Sequence, residues 1–211
     1  MYIEKFEEGN FNVGKRIFKD GGVLIYPTDT VYGLGGDPFR EEVVNKILNL
    51  KGRSQKPLPI LIDDVKRVQD IAFVDKKVLS FMVSVWPSAL TIVVNASIKI
   101  PACLHSDTVG LRIPNDEILL KFLSKIGGYI IGTSANPTGK KPATNINEAI
   151  RYFGNLVDIY YDGGVRDKKA STVIKFIDMK AVKIIRIGEY PINQLKALLY
   201  KHGLEVLKNE V

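Results

Sequence analysis

Short apolar runs alternate along the chain with segments whose apolar residues recur every three or four positions. The runs are rich in β-branched residues, which favours strands, whereas the three-to-four spacing is typical of helices. The predicted strands cover residues 23–27, 58–62, 90–94, 109–113, 129–133, 157–161, 171–177 and 182–187. The predicted helices cover residues 11–19, 41–50, 75–85, 116–125, 147–153 and 192–202. This alternation predicts a mixed α/β fold.

The last three predicted strands follow one another without room for helices between them. Because parallel neighbours need a long crossover connection, the sheet cannot be wholly parallel. We expect one large sheet of eight strands, part parallel and part antiparallel, with flanking helices. With 211 residues, of which 45% are apolar, the chain is predicted to form a single domain over residues 1–211.

The uncharged stretch 78–98 approaches the length of a membrane span, but serine, threonine, asparagine and proline interrupt it. It is predicted to form a helix, a turn and a strand, with no membrane association. The first residues are acidic and polar, which is unlike an export signal, so a cytoplasmic location is predicted.

Composition excludes several classes of site. Cys103 is the single cysteine, so an internal disulfide and a cysteine-held zinc or iron–sulfur cluster are excluded. Only His105 and His202 are present, which excludes a multi-histidine metal site. The net charge of +7 favours anionic partners, either nucleotides or RNA.

The candidate functional residues lie where predicted strands and helices end. Residues 28–36 combine hydroxyls, a carboxylate and glycines, which suits a polar ligand close to backbone and equally suits an ordinary turn. Lys51, Arg53 and Lys56 are three cations within six residues, which suits phosphate binding. The alternative is that solvated lysines compensate a helix dipole, which is the favoured interpretation when no other motif is considered. If these cations are clamps, replacing Lys51 or Arg53 by alanine should lower activity with little loss of stability.

Two further segments carry polar groups. Residues 132–141 supply hydroxyls, an amide and two lysines, but they do not form the glycine-rich GxxxxGK[ST] phosphate loop. Ser171 opens one strand, and Arg186 interrupts another that is otherwise apolar. An arginine there needs a partner, which could be a core aspartate or a ligand.

Seven short motifs occur in one order between residues 22 and 188. They are PTDTVYGLG, KGR followed by KPL, WPSALT, TVGLRIP, GTSANPTG, STV and IIRIG. In this order they resemble the YrdC-type threonylcarbamoyl-AMP synthases. The resemblance implies a twisted mixed sheet around a basic cavity, in the single-domain form of the family.

The resemblance also implies an activity. It is that of an L-threonylcarbamoyladenylate synthase, a nucleotidyltransferase that makes threonylcarbamoyl-AMP and pyrophosphate from L-threonine, bicarbonate or CO2, and ATP. A downstream tRNA threonylcarbamoyl-transferase machinery would use the product to modify the adenosine next to the anticodon, and weak tRNA or RNA binding is possible. Mg²⁺ is expected on the ATP phosphates, with no side-chain ligands. The substrate's own amine captures carbon dioxide, so no side-chain nucleophile is needed.

The resemblance assigns roles residue by residue. Lys51 and Arg53 are expected to be catalytic, and Lys51 and Asn136 belong to the family's diagnostic pair. The residues expected to bind threonine are Thr30, Arg112, Gly132 and Ser171. The residues expected to bind ATP are Arg53, Lys56, Thr108, Gly132, Ser134, Asn136, Thr144 and Arg186.

The chain departs from the family pattern at three places. Leu61 stands where some relatives have a histidine, and WPSAL replaces the usual WPGPL. Ala143 lies near a position that is often serine, where Thr144 could substitute.

Two other functions are considered. A non-catalytic RNA-binding module with a basic concave sheet would expose stacking aromatics on a strand face. Here Tyr26, Tyr32 and Phe39 are instead interleaved with glycine and threonine around a predicted small-ligand loop. A carbamoyl-transfer module of the hydrogenase-maturation type is disfavoured because its zinc-finger cysteines and extra domains are lacking.

Overall fold

The computed structural model describes residues 1–52, 57–97, 100–101, 107–178 and 180–207. The helices are α1 (Phe11–Lys19), α2 (Glu41–Lys51), α3 (Val68–Ile71), α4 (Lys76–Val85), α5 (Glu117–Lys125), α6 (Ile146–Phe153) and α7 (Ile192–Lys201). The strands are β1 (Tyr2–Lys5), β2 (Leu24–Tyr26), β3 (Gly33–Gly35), β4 (Ile60–Ile62), β5 (Ala72–Phe73), β6 (Leu90–Ala96), β7 (Thr108–Arg112), β8 (Tyr129–Ile131), β9 (Thr133–Ser134), β10 (Ile159–Asp162), β11 (Thr172–Phe176), β12 (Ala181–Arg186) and β13 (Glu205–Val206).

The mixed α/β class is confirmed, and each of the eight predicted strands and six predicted helices has a counterpart. The elements that the sequence pattern missed are short or atypical. β3 is the tripeptide Gly-Leu-Gly, β5, β9 and β13 have two residues each, and β1 is mostly exposed. Helix α3, which was also missed, has four residues. Too few residues alternate in these segments to produce a detectable period.

The prediction of one large sheet is wrong, because the strands form two sheets. One sheet has the order β1-β10-β2-β3-β9, and the other has the order β13-β12-β11-β6-β7-β4-β8, with β5 paired to β6. Strand β10 leaves the predicted run of three and pairs with β1 and β2 in parallel, whereas β11 and β12 form an antiparallel pair. Periodicity reveals which face of a strand is buried, but it does not reveal which strand is its neighbour.

The two sheets share one apolar core. Ile25 and Leu34 of the five-stranded sheet belong to the same buried cluster as Ile60, Ile92 and Leu111 of the eight-stranded sheet. A second cluster is aromatic and includes Phe11, Phe122 and Tyr161. Burial of these side chains supplies the main driving force for folding.

The helix ends follow from local sequence. Asp75, Asp116 and Asn145 each accept a hydrogen bond from a backbone N–H in the first turn of α4, α5 and α6, at 2.7 to 3.0 Å. Helix α2 ends at Gly52, whose φ of 65° lies in the left-handed region that glycine adopts readily. The stretch 78–98 begins as helix and turn and continues in β6, as predicted, and no helix within the described ranges is long and apolar enough to span a bilayer.

Alternation along the eight-stranded sheet separates its two faces. On β6, Leu90, Ile92 and Val94 are in the core, whereas Thr91 and Val93 line a cavity. The next strand, β7, repeats the pattern with Thr108, Gly110 and Arg112 on the cavity face. The period of two therefore brings polar side chains from several strands onto one surface.

Candidate functional site

A cavity of about 710 Å³ lies over the polar face of the eight-stranded sheet. We call the lining residues of β6, β7, β11, β12 and Ser171 the floor. We call the lining residues of 28–33, Lys51 and the segment 132–139 the wall. The floor comprises Thr91, Val93, Thr108, Gly110, Arg112, Ser171, Val173, Lys175, Ile185 and Arg186. The wall comprises Thr28, Thr30, Val31, Tyr32, Gly33, Lys51, Gly132, Thr133, Ser134, Asn136, Thr138 and Gly139.

Most of the predicted site residues meet in this cavity. Those that line it are Thr30, Lys51, Thr108, Arg112, Gly132, Ser134, Asn136, Ser171 and Arg186. Thr144 does not line it, and Arg53 and Lys56 lie outside the described residues. Residues from six separate stretches of sequence therefore converge on one surface.

Arg112 joins the floor to the wall. Its guanidinium forms an ion pair with Asp29, and the two side chains are only 7% and 9% exposed. It also donates to the carbonyl of Ser88 at 3.0 Å and lies 3.4 Å from the hydroxyl of Thr30. A buried pair of this kind fixes the guanidinium beside the Thr30 hydroxyl, where it could receive a carboxylate.

A short hydroxyl network lies beside it on the floor. The hydroxyls of Thr91 and Ser171 are 2.9 Å apart. Arg186 donates to the Ser171 carbonyl at 2.9 and 3.1 Å and to its hydroxyl at 3.3 Å. Burial, with a smaller contribution from the charge of Arg112, lowers the pKa of Arg186. The partner of Arg186 among the described residues is therefore Ser171, not the core aspartate considered from sequence.

A β-bulge aims Arg186 at the cavity. In the β11–β12 pair, Ile174 is opposite Ile184 but Val173 is opposite Arg186, so Ile185 is an extra residue. Without it, the alternation would turn residue 186 toward the core. Close by, a Cβ on Gly188 would lie 2.0 Å from the carbonyl oxygen of Ala170 and 2.6 Å from that of Ser171, so this contact between the IIRIG motif and the start of the STV motif requires glycine.

Lys51 organises the wall. It is the last residue of α2, it is 3% exposed, and its ammonium donates to the carbonyls of Ser134 and Asn136 at 2.6 and 2.7 Å. The Asn136 amide in turn donates to the carbonyls of Pro137 and Lys140. Lys51 and Asn136, the two residues of the diagnostic motif pair, are thus hydrogen-bonded to each other. Lys51 is buried and is therefore not the solvated lysine of the alternative interpretation.

The glycines of the first motif serve packing. The ring of Tyr26 lies against Gly33 and Gly35, where a Cβ would come within 2.7 and 2.9 Å of it, and a Cβ on Gly35 would also lie 2.0 Å from the carbonyl oxygen of Ile131. The Tyr26 hydroxyl donates to that same carbonyl at 2.6 Å. Gly35 therefore allows sheet strands to approach closely and is not part of the cavity lining.

Two departures from the family pattern have a structural counterpart. Leu61 lines the cavity and packs so closely under Gly132 that a Cβ there would lie 2.5 Å from the leucine side chain. Ser88 of WPSAL contributes its carbonyl to Arg112, a contact that any residue type could make. An apolar surface thus occupies the position where some relatives have a histidine.

Thr144 is held outside the cavity by Glu148. The Glu148 carboxylate accepts hydrogen bonds from the backbone N–H and the hydroxyl of Thr144, at 2.8 and 3.2 Å. The bond from the backbone N–H is the main reason that the pKa of Glu148 is lowered. The assignment of Thr144 to ATP binding stays a prediction.

Sequence reasoning missed three residues of the site. Asp29 lies inside the motif PTDT and Thr91 inside WPSALT. Lys175 follows the STV motif and is the next alternate residue after Ser171 and Val173, which face the cavity. Counting every second residue from Ser171 would have indicated Lys175.

None of the described lining residues is a carboxylate, whereas Lys51, Arg112, Lys175 and Arg186 are cations. The lining therefore suits an anionic ligand, and no group of three or more metal-ligating side chains occurs in the described part of the chain.

Comparison with known proteins agrees with this geometry. The family model Sua5/YciO/YrdC, described as telomere recombination, matches residues 16–188. The chain belongs to this family. The matched range contains every residue assigned to the site from sequence.

Similar proteins include enzymes and a threonine complex. Threonylcarbamoyl-AMP synthase from Pseudomonas fluorescens is 34% identical over 175 residues, which cover 81% of this chain and 93% of that protein. The synthase from Halorhodospira halophila is 32% identical over 161 residues, which cover 74% of this chain and 84% of that protein. The crystal structure of P. abyssi Sua5 complexed with L-threonine has a TM-score of 0.87 at 26% identity and covers 98% of this chain, but this chain covers only 61% of Sua5.

Proposed function

We propose that this member of the Sua5/YciO/YrdC family is an L-threonylcarbamoyladenylate synthase, a nucleotidyltransferase. The observation that carries the proposal is one cavity in which a buried arginine with neighbouring hydroxyls adjoins further cations and no lining carboxylate among the described residues. Relatives of the same family carry the name threonylcarbamoyl-AMP synthase.

The amino acid would bind where floor and wall meet. Its carboxylate pairs with Arg112, and the hydroxyls of Thr30 and Ser171 bind its polar side chain, with Gly132 contributing backbone only. A threonine complex is known for Sua5 from P. abyssi, which supports an amino-acid pocket in this fold.

The nucleotide would occupy the cationic remainder of the cavity. The carbamate oxygen formed from the threonine amine and CO2 attacks the α-phosphorus, a new P–O bond forms, and the bond to the β-phosphate breaks to release pyrophosphate. The protein must orient the reactants and stabilise charge that grows on the leaving group. Arg186 and the wall shaped by Lys51 would do so, together with Thr108, Ser134 and Asn136, and Arg53 and Lys56 stay predicted contacts outside the described residues.

Mg²⁺ belongs to this proposal as an ion carried by the ATP phosphates. It would supply positive charge against the triphosphate. The tRNA threonylcarbamoyl-transferase machinery, the tRNA modification that it completes, weak RNA binding and the cytoplasmic location stay predictions.

The RNA-binding alternative receives less support from the aromatic side chains. Tyr26 and Tyr32 are fully buried, and burial raises the pKa of Tyr32 to about 12. Phe39 is exposed, but its ring packs edge-on against Tyr129. A protein that binds single-stranded RNA would need solvent-exposed aromatic rings on which the bases could stack.

Release of pyrophosphate tests the function. The purified chain should release it only when L-threonine, bicarbonate and ATP are all present, and mass spectrometry should detect threonylcarbamoyl-AMP. A contaminating ATPase would not require threonine, so omission of threonine is the matched control. Absence of the adenylate under bicarbonate would rule out the proposal.

A further inference from the structure

Lys175 places a cation on the cavity floor. Along β11 and the residue before it, Ser171, Val173 and Lys175 share the face that lines the cavity, because alternate residues of a strand point the same way. Within the described ranges, Lys175 forms no hydrogen bond or ion pair. A half-buried ammonium in a cavity without a counter-charge indicates a missing partner.

A second lysine stands directly across the strand pair. Lys175 on β11 is opposite Lys183 on β12, and Lys183 is exposed and is not part of the cavity lining. Like charges at directly opposed positions of antiparallel strands destabilise a sheet. The bulge at Ile185 adds Arg186 to the same face of the strand pair.

The register places Lys175 one row from the proposed amino-acid pocket. Lys175 is paired with Val93 across β11 and β6, and Val93 is paired with Gly110 of β7, so these three residues form one row. Val173 and Thr91 pair two residues away along the same strands, and Arg112 lies two residues beyond Gly110 on β7. Two residues along a strand correspond to about 7 Å. Gly110 has no side chain, so this row leaves room for a ligand between Lys175 and Pro59, whose Cβ lies 3.5 Å from the position that a Cβ on Gly110 would take. A ligand lying along it would meet an amino acid held on Arg112.

We propose that Lys175 is a further phosphate contact, binding the triphosphate of the nucleotide and the pyrophosphate that leaves. The inference rests on the proposed function, because the nucleotide supplies the anion. Charge accumulates on pyrophosphate as the bond to the α-phosphate breaks, and a cation fixed beside it stabilises that charge. The bound anion also relieves the repulsion between Lys175 and Lys183.

Calorimetric titration of the whole chain with ATP, pyrophosphate, adenosine and L-threonine tests this contact. Lys175→Gln should weaken the binding of ATP and of pyrophosphate by about 10-fold, which is the usual effect of losing one charge-assisted hydrogen bond. Adenosine and threonine should bind as to the wild type, and Lys175→Arg should retain most of the ATP affinity. Lys183→Gln is the matched control, since it removes the same repulsion outside the cavity. Both glutamine variants should raise the melting temperature without ligand, and only Lys175→Gln should weaken phosphate binding.

Three outcomes would overturn the contact. The first is that Lys175→Gln binds ATP with unchanged affinity. The second is that Lys183→Gln weakens ATP binding as much as Lys175→Gln does. The third is that Lys175→Gln weakens adenosine binding as much as it weakens ATP binding. The failure of the proposed function is distinct, because the wild-type chain would then bind neither ATP nor threonine. A melting temperature lowered by Lys175→Gln would contradict the repulsion between the two lysines.

Discussion

The floor and the wall of the cavity are built by different means. Floor residues such as Thr91, Val93 and Lys175 occupy alternate positions of regular strands, so the backbone ladder alone decides where they point. The wall follows an irregular path, and its shape depends on the Lys51 ammonium, which binds carbonyls more than 80 residues away in sequence. We therefore expect floor substitutions to change binding more than stability, except at Arg112, which is ion-paired with Asp29, and we expect wall substitutions to change both.

Arg112 should show the largest effect, because it is a floor residue whose partner Asp29 lies next to the wall. Arg112→Met leaves a buried carboxylate unpaired, which should lower the free energy of unfolding by about 3 to 5 kcal/mol and abolish threonine binding. Denaturant unfolding and calorimetry measure the two effects. The double variant with Asp29→Asn should recover part of the stability but none of the binding. Full stability in Arg112→Met would show that the pair does not join the two regions.

Lys51→Met tests the wall. Loss of the ammonium leaves the Asn136 carbonyl without this donor and the Ser134 carbonyl with only the backbone N–H of Asn136, so we expect the free energy of unfolding to fall by about 1 to 3 kcal/mol and activity to fall with it. The sequence predicted little loss of stability here, and the burial of Lys51 changes that expectation. Lys140→Met, at an exposed lysine of the same region, is the control. A Lys51 variant that is inactive yet as stable as the wild type would instead support the sequence-based prediction that this lysine contributes to activity and not to stability.

Thr91→Val tests the floor at nearly constant side-chain volume. It removes the hydroxyl beside Ser171, and we expect a loss of about 1 kcal/mol in stability or less. The catalytic preference for threonine over valine should fall, because the Ser171 hydroxyl loses the partner that orients it. The measurement is kcat/KM for threonine, serine and valine at fixed ATP and bicarbonate. An unchanged preference would mean that the floor network does not read the substrate hydroxyl.

Glu148→Gln removes the carboxylate that binds Thr144 outside the cavity, and its effect should be the smallest. The lowered pKa of Glu148 means that its bonds to Thr144 contribute stability above the unfolded pKa near 4.3, and that this contribution is lost as the pH falls through the lower folded value. The variant should therefore melt slightly below the wild type at neutral pH, and the gap should close below about pH 4. Glu42→Gln, on the exposed side of α2, is the control. A gap that is the same at pH 7 and pH 3 would exclude the carboxylate as its cause.

The elements of the floor were predictable because their period is regular over five to seven residues. β6, β7 and β11 were predicted, and Arg112 and Ser171 were assigned from their motifs. The short strands β3 and β9 were not, although they form part of the wall, because two or three residues carry no measurable alternation. Asp29 and Thr91 lie within recognisable motifs. The local sequence does not indicate, however, that Asp29 pairs with Arg112 or that Thr91 contacts Ser171.

The sequence by itself determined the class of fold, the main elements and the ordered motifs that identify the family, because these depend on local periodicity and residue identity. Tertiary structure alone decided that the strands form two sheets, that a bulge turns Arg186 into the cavity and that Lys51 is buried within the wall. It also decided that Lys175 faces Lys183. These features depend on which segments pair across long stretches of chain, and the free energy of such pairing comes from contacts that no local pattern encodes.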